Sequence, residues 1–225
     1  MDPAKYVIEK TVVRRLGIYR TQTFKAKVAH ELIKIGEAIL NIIWFKADER
    51  RAAALEIIAR TAYTAEESAC HYLETIGSDK TGQIRETLEL ARSQDTNEQM
   101  HEDIFGRDLN GLKHWGDRFL ARHVAVLVYW LFAFISLIDH EFAALLGEAV
   151  EVEAVKTYAR MLNEQPSDWL EQPAVPSAVS YYDKPNNFWA KRGDERPITM
   201  RDVVEAIRKD EEDHINYNSK KAIAF

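Results

Sequence analysis

The sequence predicts an all-α protein. Only nine glycines and six prolines occur in 225 residues. Long stretches free of both keep their apolar residues at helical spacing, and strand-like alternation bounded by turns is nearly absent. The length suits one sizeable core and a single structural domain, with an N-terminal arm and helix over 1–45 leading into a bundle domain over 46–225.

Each element follows in order. An arm over 1–22 leads into a helix near 24–45. A long helix near 46–77 ends at "GSDKTG" (77–82), and the next, near 83–106, stops at "GRDLNGLKHWG" (106–116). A helix over about 117–138 contains "VAVLVYWLFAFISLI" (124–138), a continuous apolar run. A membrane span needs roughly 20 apolar residues, so a buried bundle helix is expected. The flanking Arg118, Arg122 and His123 would suit a helix lying on a membrane surface, which is the alternative. Asp139 can cap a helix near 140–164. A Pro-rich, irregular connection of about thirty residues follows, longer than compact domains usually carry without a function. Thr199 and Asp202 mark the last helix as a capping box in which Asp replaces Glu or Gln, and that helix runs to about Lys221.

Composition excludes several function classes. A net charge of −6, with no basic stripe interleaved with aromatics, speaks against a nucleic-acid partner. The single cysteine, Cys70, excludes an intramolecular disulfide and fits a reducing compartment. "MDPAKYVIEKTVVRR" has no apolar signal-peptide core. The expected location is the cytoplasm, with at most peripheral contact with a membrane surface.

Two Glu-x-x-His sequences carry the chemistry. "NEQMH" supplies Glu98 and His101, and "DEEDH" supplies Glu211 and His214. Residues three apart project from one side of a helix, so each pair can grip one metal ion, and a bridging carboxylate can serve two. Two such motifs plus one glutamate from each of two other helices is the pattern of di-iron and di-manganese carboxylate bundles of the ferritin-like type. Carboxylate oxygens stabilise ferric iron, and imidazole completes a site with room for dioxygen. One such motif alone is more often surface decoration. In "GEAVEVEAVKTYARML" (147–162), Glu148, Glu151 and Glu153 are candidates, and Tyr158 returns to the face of Glu151 two turns on.

These residues resemble the alternative oxidase family, the di-iron quinol oxidases. "RDVVEAIRKDEEDH" (201–214) is similar to that family's closing motif. "NEQMH" resembles its Asn-Glu-Arg-Met-His, and "VEVEAVKTY" its Leu-Glu-Glu-Glu-Ala segment and following tyrosine. "KHWGDR", "EFAALLGEAVEVEA" and "SYYDKP" (180–185) fall in matching places, so the likeness spans roughly 45–221. The resemblance implies a ferritin-like four-helix bundle holding two iron ions. Its ligands would be Glu98, His101, Glu151, Glu211 and His214, with Tyr158 as a redox-active tyrosine. Arg51, Leu55 and Thr157 would hold a quinol head group, and Asn97 and Asp210 would orient ligands. The implied activity is reduction of O2 to water by a quinol or related phenolic donor, in a homodimer.

The first-helix ligand is less determined. With a turn near Lys80, Glu98 lies 18 residues beyond it, while Glu74, Glu66 and Glu56 lie 6, 14 and 24 before it. Glu74 is out of register by roughly 18 Å at about 1.5 Å per residue. Geometry leaves Glu56 and Glu66 open. The likeness of "RAAALEIIA" (51–59) to the family's Arg-Ala-x-x-Leu-Glu-x-x-Ala favours Glu56.

Two departures stand out. Val150 and Val152 replace the leucine and middle glutamate of the Leu-Glu-Glu-Glu-Ala motif. "RTAYTAEESACHYLET" (60–75) is polar where the family has an apolar membrane segment, so the membrane surface of that helix is expected to be lost. A soluble di-iron oxygenase acting on a small molecule is therefore the alternative activity. A metal-free helical interaction module, its acidic residues solvated, is a third reading.

Overall fold

The computed structural model describes residues 23–77, 82–182 and 198–224. The expected arm over 1–22, the tip of the 77–82 turn, and the 183–197 stretch with Asp183, Lys184 and Pro185 of "SYYDKP" lie outside them. The helices are α1 Phe24–Ile43, α2 Glu49–Thr75, α3 Gln83–Glu102, α4 Trp115–Ile138, α5 His140–Glu164, α6 Ser167–Glu171, α7 Pro176–Tyr182 and α8 Met200–Ala224.

The helix boundaries have local causes. Thr23 caps α1 by accepting from the Ala26 amide at 3.1 Å, and Asp48 caps α2 through the Arg51 amide at 3.1 Å. Asp139 caps α5 through the Phe142 amide at 3.0 Å, each satisfying an amide the helix leaves orphaned. Gly77 closes α2 at φ +72, a left-handed conformation that glycine adopts without strain. Thr199 and Asp202 interlock as expected, the Thr199 amide donating to Asp202 at 2.9 Å. The Pro-rich connection is not irregular throughout: α6 and α7 form within it. α3 passes into a π-helical segment, Asp103–Asp108, closed by the Leu109 amide on the Ile104 carbonyl at 3.0 Å.

Four helices make the central bundle. α2 packs along α3, and α5 along α8, while α4 lies against α2 and α1 against α5. The two larger apolar clusters of the interior lie at opposite ends of the bundle's centre, and a smaller one gathers Cys70, Ile84 and Leu88. Of the larger two, one gathers Ala53, Ile104, Tyr158, Met161, Met200 and Ile207. The other gathers Ala62, Ala65, Phe132, Leu145, Leu146 and Ala222. Along α2, α5 and α8 the chain passes from one cluster to the other, and Glu56, Glu151, Glu211 and His214 sit on the stretches between them.

α1 and α4 form an outer layer. They run antiparallel and are clipped at both ends. Trp44 Nε1 donates to Asp117 at 3.1 Å, and Arg50 Nε binds the same carboxylate at 2.7 Å. At the far end, Lys25 pairs with Asp139 at 2.6 Å and Glu141 at 2.9 Å.

This layer corrects one expectation. α4 is not a buried bundle helix: it is long and apolar enough to cross a membrane, and only 28% of its most apolar window is buried. Trp115, Phe119, Leu127, Trp130, Leu131 and Phe134 are exposed, as are Leu32, Ile35, Ile39 and Ile42 on α1. An apolar outer surface is therefore present. It lies on α1 and α4 rather than on the 60–75 segment, whose Ala62, Tyr63, Ala65, Glu66, Ala69 and Cys70 face inward.

Candidate metal centre

Six side chains expected from the sequence converge at mid-bundle. α2 contributes Glu56, α3 Glu98 and His101, α5 Glu151, and α8 Glu211 and His214; all are buried. They form two overlapping quartets, Glu56–Glu98–His101–Glu211 and Glu98–Glu151–Glu211–His214. Within each quartet, one candidate ligand atom per residue lies within 4.8 Å of all the others. Glu98 and Glu211 belong to both.

Hydrogen bonding sorts the carboxylates further. Neither oxygen of Glu98 or Glu211 has a hydrogen-bond partner, whereas Glu56 and Glu151 each leave only Oε2 unpartnered. The other oxygen of Glu56 accepts from the Tyr158 hydroxyl, and that of Glu151 from Tyr63. Both histidines turn Nδ1 inward. His101 Nδ1 stands 3.3 Å from Glu56 and 3.2 Å from Glu211, and His214 Nδ1 stands 2.9 Å from Glu98 and 3.2 Å from Glu211. Neither Nδ1 reaches hydrogen-bond geometry. Buried polar atoms of native proteins almost always find partners. Eight unpartnered ligand-type atoms facing one space fit a bound cation.

Electrostatics points the same way. Burial, then the neighbouring Glu211, Glu56 and Glu151 carboxylates, pushes Glu98 well above the usual carboxylate range. Burial and Glu211 do the same to Glu151. Burial would lower His101, but Asp210, Glu211 and Glu56 outweigh it and raise it well above the ordinary value. His214 is raised against burial, chiefly by Glu211. Burial also works to raise Glu211, yet the two histidines hold it below its ordinary value. Without cations this cluster must therefore retain protons. Two divalent ions would match four carboxylates charge for charge and leave both imidazoles neutral.

A second layer orients the first. His101 Nε2 lies 3.3 Å from Asp210 and 3.2 Å from the Tyr182 hydroxyl. Asp210 also accepts from Tyr182 at 2.7 Å and from Asn97 at 3.2 Å, and Asn97 donates to Tyr181 at 2.8 Å. An acceptor behind Nε2 fixes the tautomer that turns the Nδ1 lone pair toward the centre. Tyr158 stacks on Phe105 with ring centroids 5.8 Å apart, a contact the π-helical segment supplies. Such segments recur at functional sites.

The remaining expectations divide. Thr157 is buried beside Tyr158, and Leu55 is half-buried one turn beyond Arg51. Arg51 is wholly buried and turned to α1, bonding Asn41 at 2.9 Å, the Trp44 carbonyl and Glu37. Its Nε keeps no partner. Glu66 takes no part in the cluster; it pairs with Lys221 at 2.5 Å. Glu148 and Glu153 also stand outside it, and Glu153 pairs with Lys156 at 2.7 Å. Sequence reasoning missed Tyr63, Tyr182 and Asn218. Tyr182 sits in the matched "SYYDKP", where the doubled tyrosine was the available signal.

Residues 9–222 match the family described as alternative oxidase. The chain is 31% identical over 185 residues to ubiquinol oxidase 4, chloroplastic/chromoplastic, of Arabidopsis thaliana. That match covers 78% of this chain and 52% of the relative, so the chain spans about half the length of the curated relative it matches.

Proposed function

From the premise that the chain belongs to the alternative oxidase family, we propose that it is a di-iron oxidase reducing O2 to water with electrons from a quinol or related phenolic donor. The balance is one O2 and two quinols giving two quinones and two waters. The observation that carries this is the pair of quartets sharing Glu98 and Glu211. The resemblance to a ubiquinol oxidase supplies the donor class, and family membership favours oxidase over oxygenase. The unpartnered buried atoms argue against a metal-free module, which would have to leave them unsatisfied.

In this reading Glu56 and His101 would hold one ion and Glu151 and His214 the other, with Glu98 and Glu211, common to both quartets, available to each. Bound ferrous ions would supply the electrons that pass to dioxygen. The chain's own residues do the rest. Asp210, with Asn97 and Tyr182 behind it, keeps His101 turned inward. Tyr158 holds Glu56 by a hydrogen bond and keeps its proton, because burial and Glu56 raise it well above the ordinary phenol value. It is the residue through which an electron and proton from the donor would pass.

Arg51, Leu55 and Thr157 form the donor's head-group site, and the unpartnered Arg51 Nε is the N–H left to bind a quinol oxygen. The exposed apolar residues of α1 and α4 support peripheral contact with the membrane in which such a donor dissolves. A homodimer completes the reading.

The test is anaerobic ferrous loading followed by O2 and a soluble ubiquinol analogue. Expected are about two irons per chain, O2 uptake with quinol alone, and water as product. Uptake that needs a further substrate, which then gains oxygen, would replace the oxidase with an oxygenase.

A further inference from the structure

Tyr63 lies on α2 seven residues beyond Glu56 and is buried. Its hydroxyl donates to Glu151 Oε1 and accepts from Asn218 Nδ2 at 3.3 Å. Its ring stands edge-on to His214, centroids 5.7 Å apart at 69°. The Lys221 ammonium sits 5.9 Å from the ring centroid and is tethered by Glu66 at 2.5 Å. Asn218 approaches closely because residue 147 is glycine: a Cβ there would lie 3.1 Å from the carboxamide. Side chains from α2 and α8, and a bare stretch of α5, thus fix one phenol. Beyond it lies a small cavity lined in part by Phe132, Ser136, Gly147 and Lys221, which reaches Glu151.

The two tyrosines make a matched pair. Tyr158 occupies one oxygen of Glu56 and Tyr63 one oxygen of Glu151, and in each case the other oxygen faces the centre without a partner. The two shared glutamates have no such clamp. We infer that Tyr63 is a positioning residue for Glu151, holding it as a one-oxygen ligand of its metal position as Tyr158 holds Glu56. This rests on the metal-centre reading. It makes the two positions separately adjustable: Tyr63 and Asn218 govern the position built with His214, while Tyr158 and Asp210 govern the one built with His101.

The test is anaerobic titration of the full-length apoprotein with Co(II), whose absorption reports coordination without turnover. Groups that orient metal ligands typically contribute about 10- to 100-fold in affinity. Tyr63→Phe should weaken one of two binding steps by that factor, change the cobalt spectrum of that step, and leave the melting temperature of the apoprotein unchanged. Tyr158→Phe should weaken the other step. Asn218→Ala, which loosens the phenol without removing its hydroxyl, should give a smaller loss in the step that Tyr63 governs. Two ions bound by both native chain and Tyr63→Phe, with equal affinities and spectra, would overturn the inference and leave the metal centre standing. No Co(II) bound by the native chain would overturn both. Equal weakening of both steps with a lower apoprotein melting temperature would make Tyr63 a structural residue, which also overturns it.

Discussion

The centre of this bundle and its α1–α4 face invert the usual arrangement of a soluble protein. Carboxylates and imidazoles are buried at the centre, while Trp, Phe, Leu and Ile stand in solvent on the face. Each is unfavourable on its own: ionised groups lose hydration when buried, and large exposed apolar patches mark contact surfaces. In the proposed function each would be relieved by something outside the chain, cations at the centre and an apolar phase at the face. The reading of a membrane-surface di-iron oxidase joins the two, since the donor dissolves in one and reacts at the other.

The comparison breaks most completely at Glu211. It belongs to both quartets, and neither oxygen has another partner. Glu211→Ala should drop bound iron below about one per chain. Oxidase activity should fall at least about a thousandfold, because metal-ion stabilisation of developing charge amounts to several kcal/mol. Iron analysis and O2 uptake on the same sample read both effects. Glu66→Ala is the contrast: it breaks the pair with Lys221 and should leave iron content at the native value. Iron retained by Glu211→Ala would take the shared carboxylate out of the centre.

The apolar face breaks separately. Leu127→Glu and Trp130→Glu replace exposed side chains on α4, so folding should be little affected. Each removes apolar burial in a membrane interface of about 2 kcal/mol, roughly thirtyfold in vesicle partitioning. Sedimentation with phosphatidylcholine vesicles measures that, while iron content and activity toward a soluble quinol analogue should hold. Unchanged partitioning of the double variant would detach the face from the membrane and leave a protein partner as its cover.

Legibility differed between these regions for physical reasons. Helix caps and the Glu-x-x-His motifs are local, so Asp139, Thr199, His101 and His214 could be read directly. The first-helix glutamate depends on hairpin register. Arg60 reaches both Asp95 and Glu102 at 3.3 Å, so position 60 faces the middle of that interval. Glu56, one turn earlier, then faces His101 rather than Glu98. Register counted from Glu98 alone leaves Glu56 and Glu66 open; counted from the Glu98–His101 pair, it favours Glu56. The α4 face was misread because an apolar run shows hydrophobicity without showing what covers it. Tyr63 was passed over inside a segment taken as merely polar, because its partners Glu151 and Asn218 are 88 and 155 residues away.

The smallest expected effect concerns what joins the two regions. Asp117, at the start of α4, accepts from Arg50 Nε at 2.7 Å and from Trp44 Nε1 at 3.1 Å, fastening the ends of α1 and α4 to the head of α2. The Arg50 hydrogen bonds outweigh burial and, with Trp44, hold the Asp117 carboxyl below its ordinary value. A depressed carboxyl stabilises the fold above its unfolded pKa of about 3.9 and loses that contribution as pH falls through the folded value. Arg50 is partly exposed, so Asp117→Asn should destabilise by only about 1 kcal/mol at pH 7, or roughly 2–4 °C in melting temperature for a chain of this size. The gap between variant and native chain should close below about pH 4. Iron content should stay native, since the clip touches none of the six cluster residues. A gap that persists unchanged at low pH would mean that packing of Trp44, rather than the charge on Asp117, holds the outer layer to the bundle.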